Sequence, residues 1–463
     1  MSIEIGIFHN AALDLPVAED EKGITYFAAD MDTTQEAAQR AVIDHIRQAI
    51  LAEKLGYDAW YMSEHHFQPE GAEVSPAPLL VETAIAMRTN RIRLGQTANI
   101  IVWWNPLRLA EMTAMLDIIS GGRAEVGLGR GYQSRETEIL GRHYGASTQD
   151  QERNRASYEE IYEILIKAWT EKSFSYKGDN FAIPPAYTKW NHAQTKAYFN
   201  QPGGVGRDIN QVLDLGPEVD DPNTPGVMAG STLLKEISVL PQPFQKPHPQ
   251  LWMPTTSERS VKWAAENGMN GSFMIESPER MKKAAEYYYK CAQEANFPDR
   301  QDRGEFKFGW DAEKRRGCSV LRYIHIDDNG IGNLEEATRG LQNQWSYYEP
   351  FGFGAFLNDP GQPLLPFNTK VTTELLREKK IVFFGSKEEV IEELLGLRET
   401  IGFDDWCLNV QFEFSGMESK RTEEQMQYFA EEVMPVLKKE CGGGIDLPEV
   451  GDAQFEPTIS VSA

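Results

Sequence analysis

Residues 3–12 read Ile-Glu-Ile-Gly-Ile-Phe-His-Asn-Ala-Ala. Apolar side chains alternate up to His9, which is the period of a strand. An open doubly wound sheet would place a glycine fingerprint after such a first strand. His9-Asn10-Ala11-Ala12 stands there instead. A helical pattern follows over residues 34–55, with Ala38, Val42, Ile46, Ala49 and Leu55 near one face and Gly56 closing it. The same strand-then-helix unit recurs along the chain. Further strands are read at 57–63, 92–102, 123–128, 250–254, 270–275, 319–326 and 406–412, and the intervening sequence is largely helical in period. Eight such units predict an α/β fold, a single (β/α)8 TIM barrel with large loop insertions.

The rhythm breaks twice. No period holds over residues 184–247, and between Pro202 and Gly226 nine of 25 residues are Gly or Pro. Acids there outnumber bases five to one, so the stretch reads as an insertion, a lid or a mobile loop. A second irregular stretch, rich in Phe, Gly and Pro, begins at Glu349. The expected organisation is a barrel over residues 1–440, insertions at about 184–247 and 349–380, and a C-terminal tail over 441–463.

The chain has 463 residues, 46 of them Lys or Arg and 70 Asp or Glu, for a net charge of −24. Such acidity, with no dense basic run, argues against nucleic acid and against an anionic membrane surface. The first ten residues lack a basic region and read as a strand, not as a signal peptide. No apolar run approaches the roughly 18 residues of a membrane span. Four scattered cysteines form no CxxC or Cys/His cluster, so neither a zinc site nor a disulfide framework is expected. A cytoplasmic protein is the resulting expectation.

Barrel chemistry gathers at the C-terminal ends of the strands. The second strand ends in Ser63-Glu64-His65-His66-Phe67. Neighbours on an extended segment point opposite ways, so at most one histidine faces the site. A catalytic histidine, a metal ligand lacking a clear third partner, and a histidine packed under Phe67 are three open readings. The fourth strand ends in Gly127-Leu128-Gly129-Arg130-Gly131-Tyr132. The glycines let backbone approach a ligand, and the Arg fork suits phosphate; they also serve an ordinary turn. The fifth ends in Pro254-Thr255-Thr256-Ser257-Glu258-Arg259-Ser260, an N-cap that also has the makings of an anion site. Thr97-Ala98 and the pair Trp103-Trp104, at the third strand end, suit a flat aromatic cofactor beside an apolar pocket or plain core packing.

Five pieces in order resemble the bacterial luciferase-like, flavin-dependent monooxygenases: LGYDAWYMSEHHF (55–67), LGQTANIIVWWNPLRLAE (94–111), ISGGRAEVGLGRGY (119–132), WAAENG (263–268) and VMPVLKKE (433–440). The resemblance covers residues 3–183 and 235–440 and itself implies the (β/α)8 barrel. It implies reduced FMN supplied by a separate NAD(P)H-dependent flavin reductase, and O2 adding to the flavin to give a peroxide that oxidises an organic substrate. His65 would stabilise that peroxide or act as acid/base, with Glu64 and His66 in support. Ser63, Thr97, Ala98, Gly129, Arg130, Ser257, Arg259 and Ser260 would hold the cofactor, with a non-proline cis peptide at Thr97-Ala98. Phe8, Phe67, Trp103, Trp104 and Tyr132 would line a pocket for a substrate with an apolar body. A homodimer through the first barrel helices is implied too. Gly129 stands where the luciferases proper carry a cysteine, which argues against light emission. A deazaflavin-dependent dehydrogenase and a non-catalytic flavin-binding barrel are the alternatives on the same fold, and retention of His65 argues against the second. A metal hydrolase using His65 and His66 would need a bound metal; none is expected.

Overall fold

Eight strands run parallel in the computed structural model, which describes residues 2–190, 192–199, 201, 209–214, 219–220, 228–229, 233–295, 317–366, 369–402 and 405–442. They are β1 (Ser2–His9), β2 (Ala59–Met62), β3 (Arg93–Gln96), β4 (Ala124–Gly129), β5 (Gln250–Pro254), β6 (Asn270–Phe273), β7 (Cys318–Ile326) and β8 (Asp405–Gln411). Each pairs with the next, β8 pairs with β1, and no sheet edge is left between β4 and β5, where Glu125 lies opposite Gln250. The sheet is a closed (β/α)8 barrel, as the repeated strand-helix units predict. Val382–Gly385 adds a short parallel strand beside the end of β7. Its four residues, Val-Phe-Phe-Gly, are too few to display a period, and the sequence reading missed it.

Two compact units make up the chain. The first spans Met1–Ile100, Leu116–Gly129 and Pro249–Ala463, and holds the whole barrel. The second spans Ile101–Met115 and Arg130–His248. Its helix Gln151–Thr170 buries Tyr158, Ile161, Leu165, Ala168 and Trp169, and the Trp169 indole donates to the Ala110 carbonyl at 3.2 Å. Of the expected insertion at 184–247, much lies outside the described residues, as does all of the tail beyond residue 442. The stretch expected as the 349–380 insertion contributes Leu357, Val371 and Leu376 to a buried cluster with Trp345, Phe384 and Phe414. Among the described residues no helix is long and apolar enough to cross a membrane.

Two differences from the sequence reading bear on the site. Helix α1 (Met31–Leu55) buries Ala37, Ala41, His45, Gln48, Ala49 and Ala52, while Val42 is exposed. The buried face therefore carries two polar side chains, and a count of apolar residues rotates the helix away from them. The third strand also stops early. Its expected span to residue 102 breaks at a cis Thr97–Ala98 bond, followed by a two-residue strand (Asn99–Ile100) and a 3₁₀ turn (Ile101–Trp103). Gly127 on β4 makes room for this bend: a Cβ there would overlap the Gln96 carbonyl oxygen.

The barrel interior is polar at one level. Arg93 opens β3 and reaches Glu125 at 2.9 Å and also Glu4. The Tyr61 hydroxyl donates to Glu125 at 2.6 Å and the Trp252 indole at 2.7 Å. All five side chains are buried. Gly95, opposite Tyr61 in the β2–β3 register, leaves space for its ring. Burial, reinforced by Glu125, holds the Tyr61 hydroxyl well above its usual range, so it acts as a donor.

Candidate active site

At the C-terminal end of β2 the chain turns into Ser63, Glu64 and His65, all buried, then half-buried His66 and exposed Phe67. The two histidines meet different carboxylates. His66 Nε2 lies 3.2 Å from Glu64 Oε1, and the other Glu64 oxygen accepts the Ile100 N–H at 2.6 Å. His65 Nε2 lies 3.3 Å from Glu73 Oε1, from the loop between β2 and helix α2 (Pro78–Ala86). His65 is the deeper of the two. Phe67 has a left-handed backbone (φ 58°) and its ring lies 5.6 Å from that of His66.

Glu73 gathers further groups. The Tyr348 hydroxyl donates to it at 2.8 Å, Asn10 Nδ2 at 3.1 Å and Gln68 Nε2 at 3.4 Å. Asn10 also donates its backbone N–H to Glu413, whose other oxygen lies 3.1 Å from His45 Nε2. His9 Nδ1 meets Gln48 Oε1 at 3.0 Å. His9, His45 and Glu413 bring three metal-capable atoms within 4.8 Å of one another, and the hydrogen bonds just given account for the grouping. Burial raises the Glu413 carboxyl, but His9, His45 and the Asn10 N–H outweigh it and leave it below the usual range. Burial lowers His9 to about 4, against the pull of Glu413. The sequence reading saw His9-Asn10 as a missing glycine fingerprint, and it did not single out His45, Glu73, Tyr348 or Glu413. The one local signal was a histidine and a glutamine on the buried stripe of α1.

The His9 value has a pH consequence. The unfolded chain protonates this ring below about pH 6.5, whereas the folded chain does so only near 4. Between those values the unfolded state binds more protons, so stability falls as pH falls, by about 3 kcal/mol over the window. Urea midpoints at pH 7 and 4 measure this, and His9→Gln is expected to flatten the difference.

At the end of β3, Thr97 and Ala98 are buried, and a Cβ at Gly129 would press on Ala98 and Ile100. At the end of β5, Ser257 caps helix α3 (Glu258–Glu266): its Oγ accepts the Ser260 N–H at 3.2 Å, and the two hydroxyls lie 3.0 Å apart. Ser260 Oγ in turn accepts the Thr256 and Ser257 N–H groups at 3.3 and 3.1 Å. A cleft of about 270 Å³ opens here, lined by Thr255, Thr256, Ser257, Glu276, Arg280 and Lys283 among others. Burial raises Glu276 to about 7. Arg259 is exposed. The buried hydroxyls of Thr255 and Ser63 have no hydrogen-bond partner, a cost of about 1–3 kcal/mol each.

Phe8 packs with Ala59, Tyr61 and Leu321. Phe67 also lies in the first unit, whereas Trp103, Trp104, Arg130 and Tyr132 belong to the second. There the Trp103 indole donates to Thr137 Oγ1 at 3.3 Å, Trp104 is half-buried, the Tyr132 hydroxyl accepts from Gln133 at 3.1 Å, and the Arg130 carbonyl accepts from Asn154 at 3.1 Å.

The profile of the luciferase-like monooxygenase family matches residues 24–206. A Sinorhizobium fredii protein bearing the name uncharacterized protein y4wF is 29% identical over 240 residues, 52% of this chain and 53% of that one. The chain thus spans about half the length of that relative. The oxygenase component of a flavin-dependent trigonelline monooxygenase from Acinetobacter baylyi is 20% identical over 421 residues, 88% of this chain and 92% of that one. Residues 24–206 are thus similar to the luciferase-like monooxygenase family.

The barrel of the chain also resembles a solved Pseudomonas putida structure. That structure is the oxygenating constituent of 3,6-diketocamphane monooxygenase, a type II Baeyer–Villiger enzyme in complex with FMN. The TM-score is 0.60 at 18% identity, over 94% of this chain and 98% of that one, which is a likeness of fold.

Proposed function

We propose that this luciferase-like protein is the oxygenase component of a two-component, FMN-dependent monooxygenase acting on an organic substrate with an apolar body. The observation that carries this reading is the buried His65 at the barrel mouth, paired with a carboxylate where the family motif puts its acid–base residue. Reduced FMN, when bound, supplies two electrons to O2, so that one oxygen atom enters the substrate and the other leaves as water. A separate NAD(P)H-dependent flavin reductase supplies that flavin.

The chain's own part is binding and proton handling. Ser63, Thr97, Ala98, Gly129, Ser257, Arg259 and Ser260 are proposed to hold the cofactor, and the unpartnered Ser63 and Thr255 hydroxyls fit a ligand rich in polar atoms. The hydroxyls and N–H groups opening α3, with Arg280 and Lys283 on the same cleft, fit a phosphate. Arg130 is proposed as a phosphate ligand from the sequence motif. Phe8, Phe67, Trp103, Trp104 and Tyr132 are proposed to contact the substrate. His65 moves the proton, and Glu64 and His66 hold the β2 end against Ile100.

The test incubates the protein with FMN, NADH, a generic flavin reductase and a substrate panel under 18O2. One labelled atom in the product supports the reading. Product formed without oxygen, from a reduced deazaflavin, overturns it in favour of hydride transfer. Reduced-FMN affinity, measured without oxygen, is expected to weaken about tenfold or more in Arg130→Ala and in Ser257→Ala, the loss of about one charge-assisted hydrogen bond. Tight binding that survives both changes refutes the phosphate assignment. We also propose a cytoplasmic homodimer. The exposed Ile43, Leu80 and Met87 on the first two helices support the dimer, and four buried thiols fit a reducing compartment. Light scattering at the 52.3 kDa monomer mass counts against the dimer.

A further inference from the structure

We propose that Glu73 is the positioning residue for His65, fixing which ring nitrogen carries the proton and favouring the charged ring; this rests on the reading of His65 as the acid–base residue. The argument begins with the company Glu73 keeps. Its side chain is buried, and its oxygens receive Tyr348 OH, Asn10 Nδ2 and Gln68 Nε2. None of these three carries charge. A buried carboxylate left with neutral donors is costly. His65 Nε2, 3.3 Å away, supplies a positive charge to this carboxylate when the ring is protonated.

The contact is made through Nε2, so Nε2 is the nitrogen held protonated and Nδ1 is the one that exchanges a proton with the reacting group. The pair is anchored by three residues: Asn10 at the end of β1, Gln68 on the loop after β2 that also carries Glu73, and Tyr348 at the end of helix α4 (Leu334–Tyr348). Asn10 joins this carboxylate to a second one, Glu413, which is already paired with His45. The second carboxylate therefore keeps its own partner and does not compete for His65. Another titratable group beside the pair is Tyr323 on β7, whose hydroxyl burial and then Glu73 push up; the Glu64–His66 pair adjoins it in sequence, and the His9–His45–Glu413 group is joined to it through Asn10.

The test is the titration of His65 followed by imidazole NMR, with turnover measured alongside. In Glu73→Gln the His65 midpoint is expected to fall by at least about one pH unit, the size of an opposite charge removed at this distance. The histidine-dependent limb of the kcat profile should move by the same amount, kcat should fall about tenfold or more, and KM for reduced flavin should stay within about twofold. Glu73→Asp should recover part of the shift. Tyr348→Phe, which removes one hydrogen bond from the carboxylate and keeps the ring, should move the midpoint upward, and it serves where Glu73→Gln does not fold. An unchanged His65 midpoint in a folded Glu73→Gln or Tyr348→Phe protein overturns the proposal. Full activity in His65→Ala defeats the acid–base reading instead, and the NMR midpoint is independent of that result.

Discussion

Turnover of His65→Ala is expected to fall by about 10²–10⁴-fold, the range for loss of a positioned general acid or base. The loss should sit in kcat, because the ring is buried and paired with Glu73 and so is placed for proton transfer rather than for gripping substrate. His66→Ala should cost less than about tenfold, since its ring is tied to Glu64 and the other Glu64 oxygen is occupied by the Ile100 N–H. Steady-state rates of substrate oxidation with excess reductase, measured for both variants, check the contrast. Equal losses would mean that the second histidine shares the proton chemistry. A His65→Ala enzyme within threefold of wild type would remove His65 from the reaction.

The second large effect is on folding. Arg93→Leu should destabilise the protein by about 3–5 kcal/mol, because it strands Glu4 and Glu125 inside the barrel without their cation. Tyr61 and Trp252 still donate to Glu125, but two neutral donors do not replace the charge. A loss of that size is a large part of the total stability of a typical domain, about 5–15 kcal/mol. Urea unfolding followed by circular dichroism measures it. Adding Glu4→Gln and Glu125→Gln to Arg93→Leu should recover most of the loss, which separates an unpaired charge from a packing defect. A single-variant cost under about 1 kcal/mol would mean that the ion cluster is solvated in solution.

The barrel was legible along the chain because strand and helix periods are local. The alternation from Ile3 to His9, the helix closed by Gly56 and the run from Arg123 to Gly129 each carry their period within a dozen residues. Gly127 was legible only as a glycine in a motif. Its reason, the bend of the neighbouring strand at Thr97–Ala98, lies on another part of the chain. The short strand Val382–Gly385 had too few residues to show a period, and the polar stripe of α1 was masked by more hydrophobic neighbours.

The site divides along the same line. The motif Ser63-Glu64-His65-His66 marks a strand end as a candidate site, because which residues follow a barrel strand is a property of order along the chain. The longer-range partners of the carboxylates around it are not. Glu73 meets Tyr348 across 275 residues, and Asn10 meets Glu413 across 403. Those pairings follow from the register of eight strands closing on themselves, which brings the ends of β1, β2 and β8 side by side. The fold and the place of the candidate site are thus written in local order, whereas the links that tie Glu73 to Tyr348 and Asn10 to Glu413 arise from buried groups that only barrel closure brings within hydrogen-bond distance.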